Sequence, residues 1–181
     1  MARVPLITRK DQVAPEHHAT VDAIIGSRGS LSGPFQVFLH SPEIAGRIAH
    51  LGTLVRFEGT LDFRVRVLAA MVVAREFEAL YVWGAQTGNA RKRNVPEAVI
   101  AAVRDGGLDG VAPEDAMIIT YTRTLLRDHR IPAAMDAAMR ARFGNDEMIQ
   151  LTGAIGYYSL LSMTVNAHEM AAEAGMDVLV V

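Results

Sequence analysis

Gln86, Asn89 and Arg93 follow Val82 at helical spacing, so within residues 61–94 one helix face changes from apolar to hydrogen-bonding in a few turns. Gln86 donates and accepts hydrogen bonds but does not titrate, which suits it to orienting a substrate carbonyl or a water. It would serve equally well to satisfy a buried backbone group. Trp83, three residues earlier, offers an apolar wall, although core or interface packing is the commoner place for an indole. A second polar stripe, Tyr158, Ser162 and Asn166, recurs every four residues on the last long helix beside Leu160, Leu161 and Met163. Such a stripe lines a cavity or lets two helices approach closely, with packing slightly favoured. A proton would come from His40, His50, His168, Tyr81, Tyr158 or Glu78. His40 stands just before a helix N-terminus that favours its neutral form, though a buried histidine bonded to backbone is commoner than a catalytic one. Arg64 and Arg66 interrupt an apolar helix; they pair with Glu58, Glu76 or Glu78, or one of them binds a substrate carboxylate. The expected constellation is thus His40, Gln86 and Tyr158 for catalysis, with Tyr81, Trp83, Asn89, Arg66 and Asn166 contacting a small-molecule substrate.

Several chemistries are excluded or disfavoured. The chain has no cysteine, so disulfides, thiolate metal sites and thiol peroxidase chemistry are closed to it. His17 and His18 are adjacent and point about 100° apart on a helix, with no carboxylate cluster nearby, so no metal site is expected. The glycine- and serine-rich residues 26–34 lack the Gly-Lys-Ser/Thr ending of a phosphate loop and read as a connector and a possible pocket rim. Arg91, Lys92 and Arg93 end a helix, where its dipole and solvation explain them better than phosphate binding does. With 18 basic against 20 acidic residues, no field is expected to gather nucleic acid or an anionic membrane. No apolar run approaches the ~20 residues needed to span a bilayer, and the N-terminus lacks a signal-peptide core. A cytoplasmic protein without cofactors is the expectation.

The elements that must hold these residues read as helices. Residues 1–15 carry two prolines and no periodicity, which predicts an arm over the surface or onto a neighbouring subunit; residues 16–181 form one helical domain. Ser41-Pro42-Glu43 has the form of an N-cap, a first-turn proline and a first-turn acid, opening a helix to about residue 55. Residues 61–77 are apolar on most faces, the mark of a buried helix. Prolines 96, 113 and 132 open further helices, Gly144 ends one, and the longest runs over about 148–170. Helix follows helix without an alternating strand, so the class is all-α. The apolar end of the chain, AGMDVLVV, predicts docking on another subunit.

The segment YVWGAQ is similar to the YEWAAH-type segment of the carboxymuconolactone decarboxylase family, which includes the AhpD-type alkylhydroperoxidases. FLHSPEIAGRIAHLG resembles that family's helix-opening segment, and GYYSLLSMTVNAHE its closing helix, so the resemblance covers most of the chain. It implies an AhpD-like bundle of about eight helices, assembled as a dimer, trimer or hexamer with sites near subunit interfaces. The family pattern of Glu, Cys-x-x-Cys and His falls here on Val67, Ala79, Val82 and Gln86, so the thiol peroxidase route is absent. The decarboxylase members use no thiol and need a pocket that binds an acidic lactone and delivers a proton. The resemblance therefore implies a cofactor-independent lyase-type enzyme acting on a small lactone or aromatic-degradation metabolite. A catalytically degenerate ligand-binding member, or a structural oligomeric one, stands beside it.

Overall fold

The computed structural model describes residues 2–180, which form eight α-helices with no β-strand among them. They are α1 (His18–Arg28), α2 (Phe35–Phe38), α3 (Pro42–Thr53), α4 (Phe63–Glu76), α5 (Leu80–Lys92), α6 (Glu97–Asp105), α7 (Pro113–Asp128) and α8 (Ala133–Ala167). α4 is the axis of the bundle: every residue from Val65 to Ala74 is buried, and α5, α7 and α8 pack around it. Its start is fixed by Asp62, whose carboxylate accepts from the Arg64 amide at 2.7 Å. Pro42 and Glu43 open α3, but the Ser41 hydroxyl makes no capping hydrogen bond, so the proline and the acid carry that boundary.

Two departures from regular helix matter for the site. α3 does not stop at Thr53; it continues as a single π-helical turn over Leu54–Glu58, which swings Arg56 and Phe57 toward α4 and α5. α8 is two helical segments joined at Gly144, whose φ of 71° and ψ of −179° break the helix where the sequence places a stop.

Both ends of the described chain pack on its own bundle. In the arm, Ile7 and Val13 are buried, the Arg3 amide donates to the His168 carbonyl at 2.9 Å, and the Ile7 amide donates to the Gln36 carbonyl at 3.0 Å. At the other end Leu179 is buried, and residues 173–179 lie as a strap along α5, tied by an Arg91–Asp177 ion pair of 3.1 Å. Gly84 makes this close approach possible, since a Cβ there would lie 2.6 Å from the Met176 Cβ. The apolar tail thus has an intrachain partner where the sequence suggested another subunit; Val178 and Val180 remain exposed. No helix among the described residues is long and apolar enough to cross a membrane.

Candidate functional site

Gln86 and Asn89 lie about one turn apart on α5 and open onto two adjoining cavities of ≈ 330 and ≈ 260 Å³. Arg56, Gln86, Asn89, Lys92 and Tyr158 line both, so they form the boundary of one two-lobed site. The larger lobe lies against the strap and has apolar walls from Phe35, Val82, Ala85, Leu161 and Met176. The smaller adds Phe57 from the π-helical turn, Phe63, Arg66 and Val67 from α4, and Arg93 from the end of α5.

The charge at this site is one-sided. Among the described residues, eleven of the 18 basic side chains pair with a carboxylate elsewhere on the bundle. Five of the other seven, Arg28, Arg56, Arg66, Lys92 and Arg93, line these lobes. For the four arginines among them, aromatic rings take the place of carboxylates as partners. The Arg28 guanidinium stacks 4.3 Å from the Phe35 ring centre and Arg56 4.8 Å from that of Phe57. Phe63 serves both Arg66, at 5.1 Å, and Arg93, at 4.7 Å. A guanidinium held by its face keeps the N–H donors of its edge for a ligand. Arg66 is buried and spends one donor on the Val55 carbonyl at 3.0 Å. Its pKa is lowered chiefly by burial, with repulsion from Arg56 and Arg93 adding to the effect. Arg28 donates from its two terminal nitrogens to the Ser27 hydroxyl and to the Ala49 carbonyl, the latter at 2.9 Å, and its buried Nε has no partner among the described residues.

Among the described residues the lining carries one carboxylate, Glu173 of the strap, which accepts from the Tyr81 hydroxyl at 3.1 Å. Burial, and then the Glu173 charge, push the Tyr81 phenol up. Burial likewise pushes Tyr158 up to about 12, while Arg56 and Arg66 pull against that rise. At neutral pH the site therefore presents fixed cations, neutral phenols and amides. It can anchor an anion, donate hydrogen bonds to a carbonyl oxygen and deliver a phenolic proton. Among the described residues no three His, Asp or Glu side chains converge to hold a metal ion.

Of the residues singled out in the sequence, Tyr81, Gln86, Asn89, Tyr158 and Arg66 converge here. Three others lie elsewhere. His40 is exposed, its Nε2 2.7 Å from the Pro5 carbonyl, in a surface cleft with Ile44, Thr164 and His168; the arm holds it away from Gln86. Trp83 is fully buried in the core and its Nε1 has no partner, so the apolar wall near Gln86 comes from Val82 and Ala85 instead. Asn166 is exposed and donates to the Phe77 carbonyl at 2.6 Å, closing the end of α4. Arg64 also finds a different partner from those expected: it grips buried Asp115 of α7 with two bonds of 2.8 and 2.6 Å, while Arg66 has no carboxylate. The sequence places Arg93 on the polar face with Gln86 and Asn89 but does not bring Arg28, Arg56 and Lys92 to it. Lys92 and Arg93 had a sufficient explanation in the helix dipole, and the only signal for the rest is an arginine next to, or near, a phenylalanine.

No protein-family model matches the chain, and no curated protein matches it in sequence. Solved structures do match its fold. The alkylhydroperoxidase AhpD core of a peroxidase-related protein from Ralstonia eutropha superposes with a TM-score of 0.78 at 15% identity, over 96% of this chain and 93% of that one. A peroxidase-related protein from a Silicibacter species gives 0.73 at 14%, over 97% and 95%. A protein from Agrobacterium tumefaciens described in connection with antioxidant defence and AhpD gives 0.67 at 14%, over 79% and 99%. The chain has the AhpD-like all-α fold. Within it Val67, Val82 and Gln86 line the site, and Ala79 is buried.

Proposed function

We propose that this chain is a cofactor-independent lyase-type enzyme acting on a small anionic, oxygenated metabolite of the lactone or aromatic-acid kind. The observation that carries the reading is the gathering of five cations without carboxylate partners among the described residues around one two-lobed cavity, in a chain whose overall charge is −2. The guanidinium edges anchor the ligand's anionic group, and Gln86 and Asn89 donate to its carbonyl oxygen. If a carboxylate is lost, the carbon–carbon bond breaks, CO2 leaves, and the electron pair spreads onto that carbonyl as an enolate. Amide donors aimed at the oxygen stabilise this charge as it develops. The Tyr158 hydroxyl then protonates carbon, its phenolate is held by Arg56 and Arg66, and solvent restores the proton.

The test is turnover of carboxylated lactones and aromatic acids by the purified protein and by Tyr158→Phe. Loss of turnover on the order of 10²–10⁴-fold, with binding retained, supports the assignment; undiminished turnover removes it. A second reading has its own support: Val67, Ala79, Val82 and Gln86 leave no titratable group at the family's motif positions, as expected of a member that binds its ligand without transforming it. A bound acid recovered unchanged after long incubation would decide for that reading. A homo-oligomer is part of the proposal, supported by Ile149 and Met163 on α8 and Leu54 and Phe57 at the π-helical turn, each about half or more exposed. Light scattering at the column exit giving a 19.6 kDa monomer would remove it.

A further inference from the structure

The two lobes differ in a way that specifies the ligand more closely, given that this cavity is the substrate site. The smaller lobe is lined by Arg56, Arg66, Lys92 and Arg93 and by no carboxylate. One bidentate guanidinium satisfies a carboxylate's geometry, so a monoanion there would leave several positive charges crowded together without compensation. The crowding is real: Phe63 holds two of the guanidiniums on one ring, and Arg56 and Arg93 each disfavour the charged form of Arg66. A group with two negative charges and three terminal oxygens matches this donor set, because each oxygen can take an edge from a different arginine. The larger lobe shares Arg56 and Lys92 and adds Arg28, but it lacks Arg66 and Arg93 and carries a carboxylate, Glu173. Its walls of Phe35, Val82, Ala85, Leu161 and Met176 suit a ring or a short apolar body, and its volume of ≈ 330 Å³ fits a small one. Glu173 partly offsets the cations of the larger lobe and lies off the smaller one, so the excess positive charge is greatest in the smaller lobe and an anionic head is favoured there.

We infer that the site takes a phosphate monoester of a small aromatic or apolar body, with the phosphate in the arginine lobe, the body against the strap, and the reacting carbonyl between them at Gln86 and Tyr158. Arg66 and Arg93 then act as specificity determinants for the doubly charged head.

Calorimetric titration of the intact protein with phenyl phosphate, benzoate and inorganic phosphate tests this. At pH 8 phenyl phosphate should bind at least about tenfold tighter than benzoate, the equivalent of one further charge-assisted hydrogen bond. That preference should shrink below about pH 6, where the phosphate dianion takes up a proton. Arg93→Gln, shown to be folded by its melting temperature, should weaken phenyl phosphate about tenfold and benzoate far less. Benzoate binding as tightly as phenyl phosphate would overturn the inference and leave the lyase proposal for carboxylated substrates standing. Inorganic phosphate binding as tightly as its phenyl ester would overturn the assigned body. Failure of all three anions to bind would overturn both the inference and the anion-binding site beneath it.

Discussion

Replacing Arg66 by methionine should make the protein more stable and less able to bind an anion. Arg66 is 9% exposed and makes no ion pair among the described residues; the Asp62 charge favours its charged form less than burial disfavours it. What the substitution removes is a charged hydrogen bond to the Val55 carbonyl, worth about 1–3 kcal/mol, and a stack on Phe63 worth about 1 kcal/mol. Against this stands the desolvation of a buried cation, several kcal/mol per ion, which only a well-placed counter-charge would offset. Repulsion from Arg56 and Arg93 adds to that cost, and attraction to Asp62 offsets part of it. Methionine fills a similar volume with a flexible apolar chain, so the net should be a gain of about 1–2 kcal/mol. For a chain of 181 residues this is a rise in melting temperature of roughly 2–8 °C. Differential scanning calorimetry without ligand reads the first effect, and anion titration the second, where at least a tenfold loss is expected. A fall in melting temperature would refute the reasoning, because it would make Arg66 a net structural contributor rather than a charge held ready for a ligand.

Three further outcomes follow from the geometry. Asp115→Asn removes the carboxylate that Arg64 grips; since Arg64 is partly exposed and can rehydrate, the cost should be about 1.5–3 kcal/mol, read as a lower denaturation midpoint in urea. Gly84→Ala ought to gain about 1 kcal/mol from helix propensity, yet its Cβ would meet Met176 and lie 3.1 Å from the Asp177 carbonyl. Net destabilisation, with faster amide exchange confined to residues 173–179, is therefore expected, and a more stable variant would mean the strap does not press on α5. Tyr158 is protonated in the fold up to about pH 12 against about 10 when unfolded, so its contribution is fully present below pH 10 and is lost as pH rises through 12. Wild type should lose up to about 3 kcal/mol more than Tyr158→Phe across that window in pH-dependent unfolding, and parallel curves would count against a buried phenol.

How much of this was legible depends on how far apart in sequence the cause lies. α4 could be read because apolar residues on all its faces leave a buried helix as the only economical placement. Gln86, Asn89 and Tyr158 could be read because each interrupts an apolar helix at regular spacing. His40 could not be placed: its partner, the Pro5 carbonyl, is 35 residues away and belongs to an arm without periodicity. Trp83 shows the limit of the three-residue rule, since α5 is buried on the indole's side too and proximity along the helix did not put the ring at the cavity. Arg56 depends on a π-helical turn, which a 3.6-residue pattern does not reveal. The tail's apolar character was evident, but its partner Gly84 becomes visible only once α5 is placed beside it.

Three phenylalanines, Phe35, Phe57 and Phe63, aim four of the five cations of the site. The cavity's selectivity is thereby entrusted to residues that carry no charge. Exchanging Phe63 for leucine would leave the net charge and the arginines untouched, yet free Arg93 to sample rotamers whose restriction is worth up to about 2 kcal/mol, while Arg66 keeps its bond to the Val55 carbonyl. Ligand preference in this scaffold can therefore drift through apolar substitutions that a search for changed acids and bases would pass over. Engineering it toward new anions should begin with the rings and only then turn to the guanidiniums.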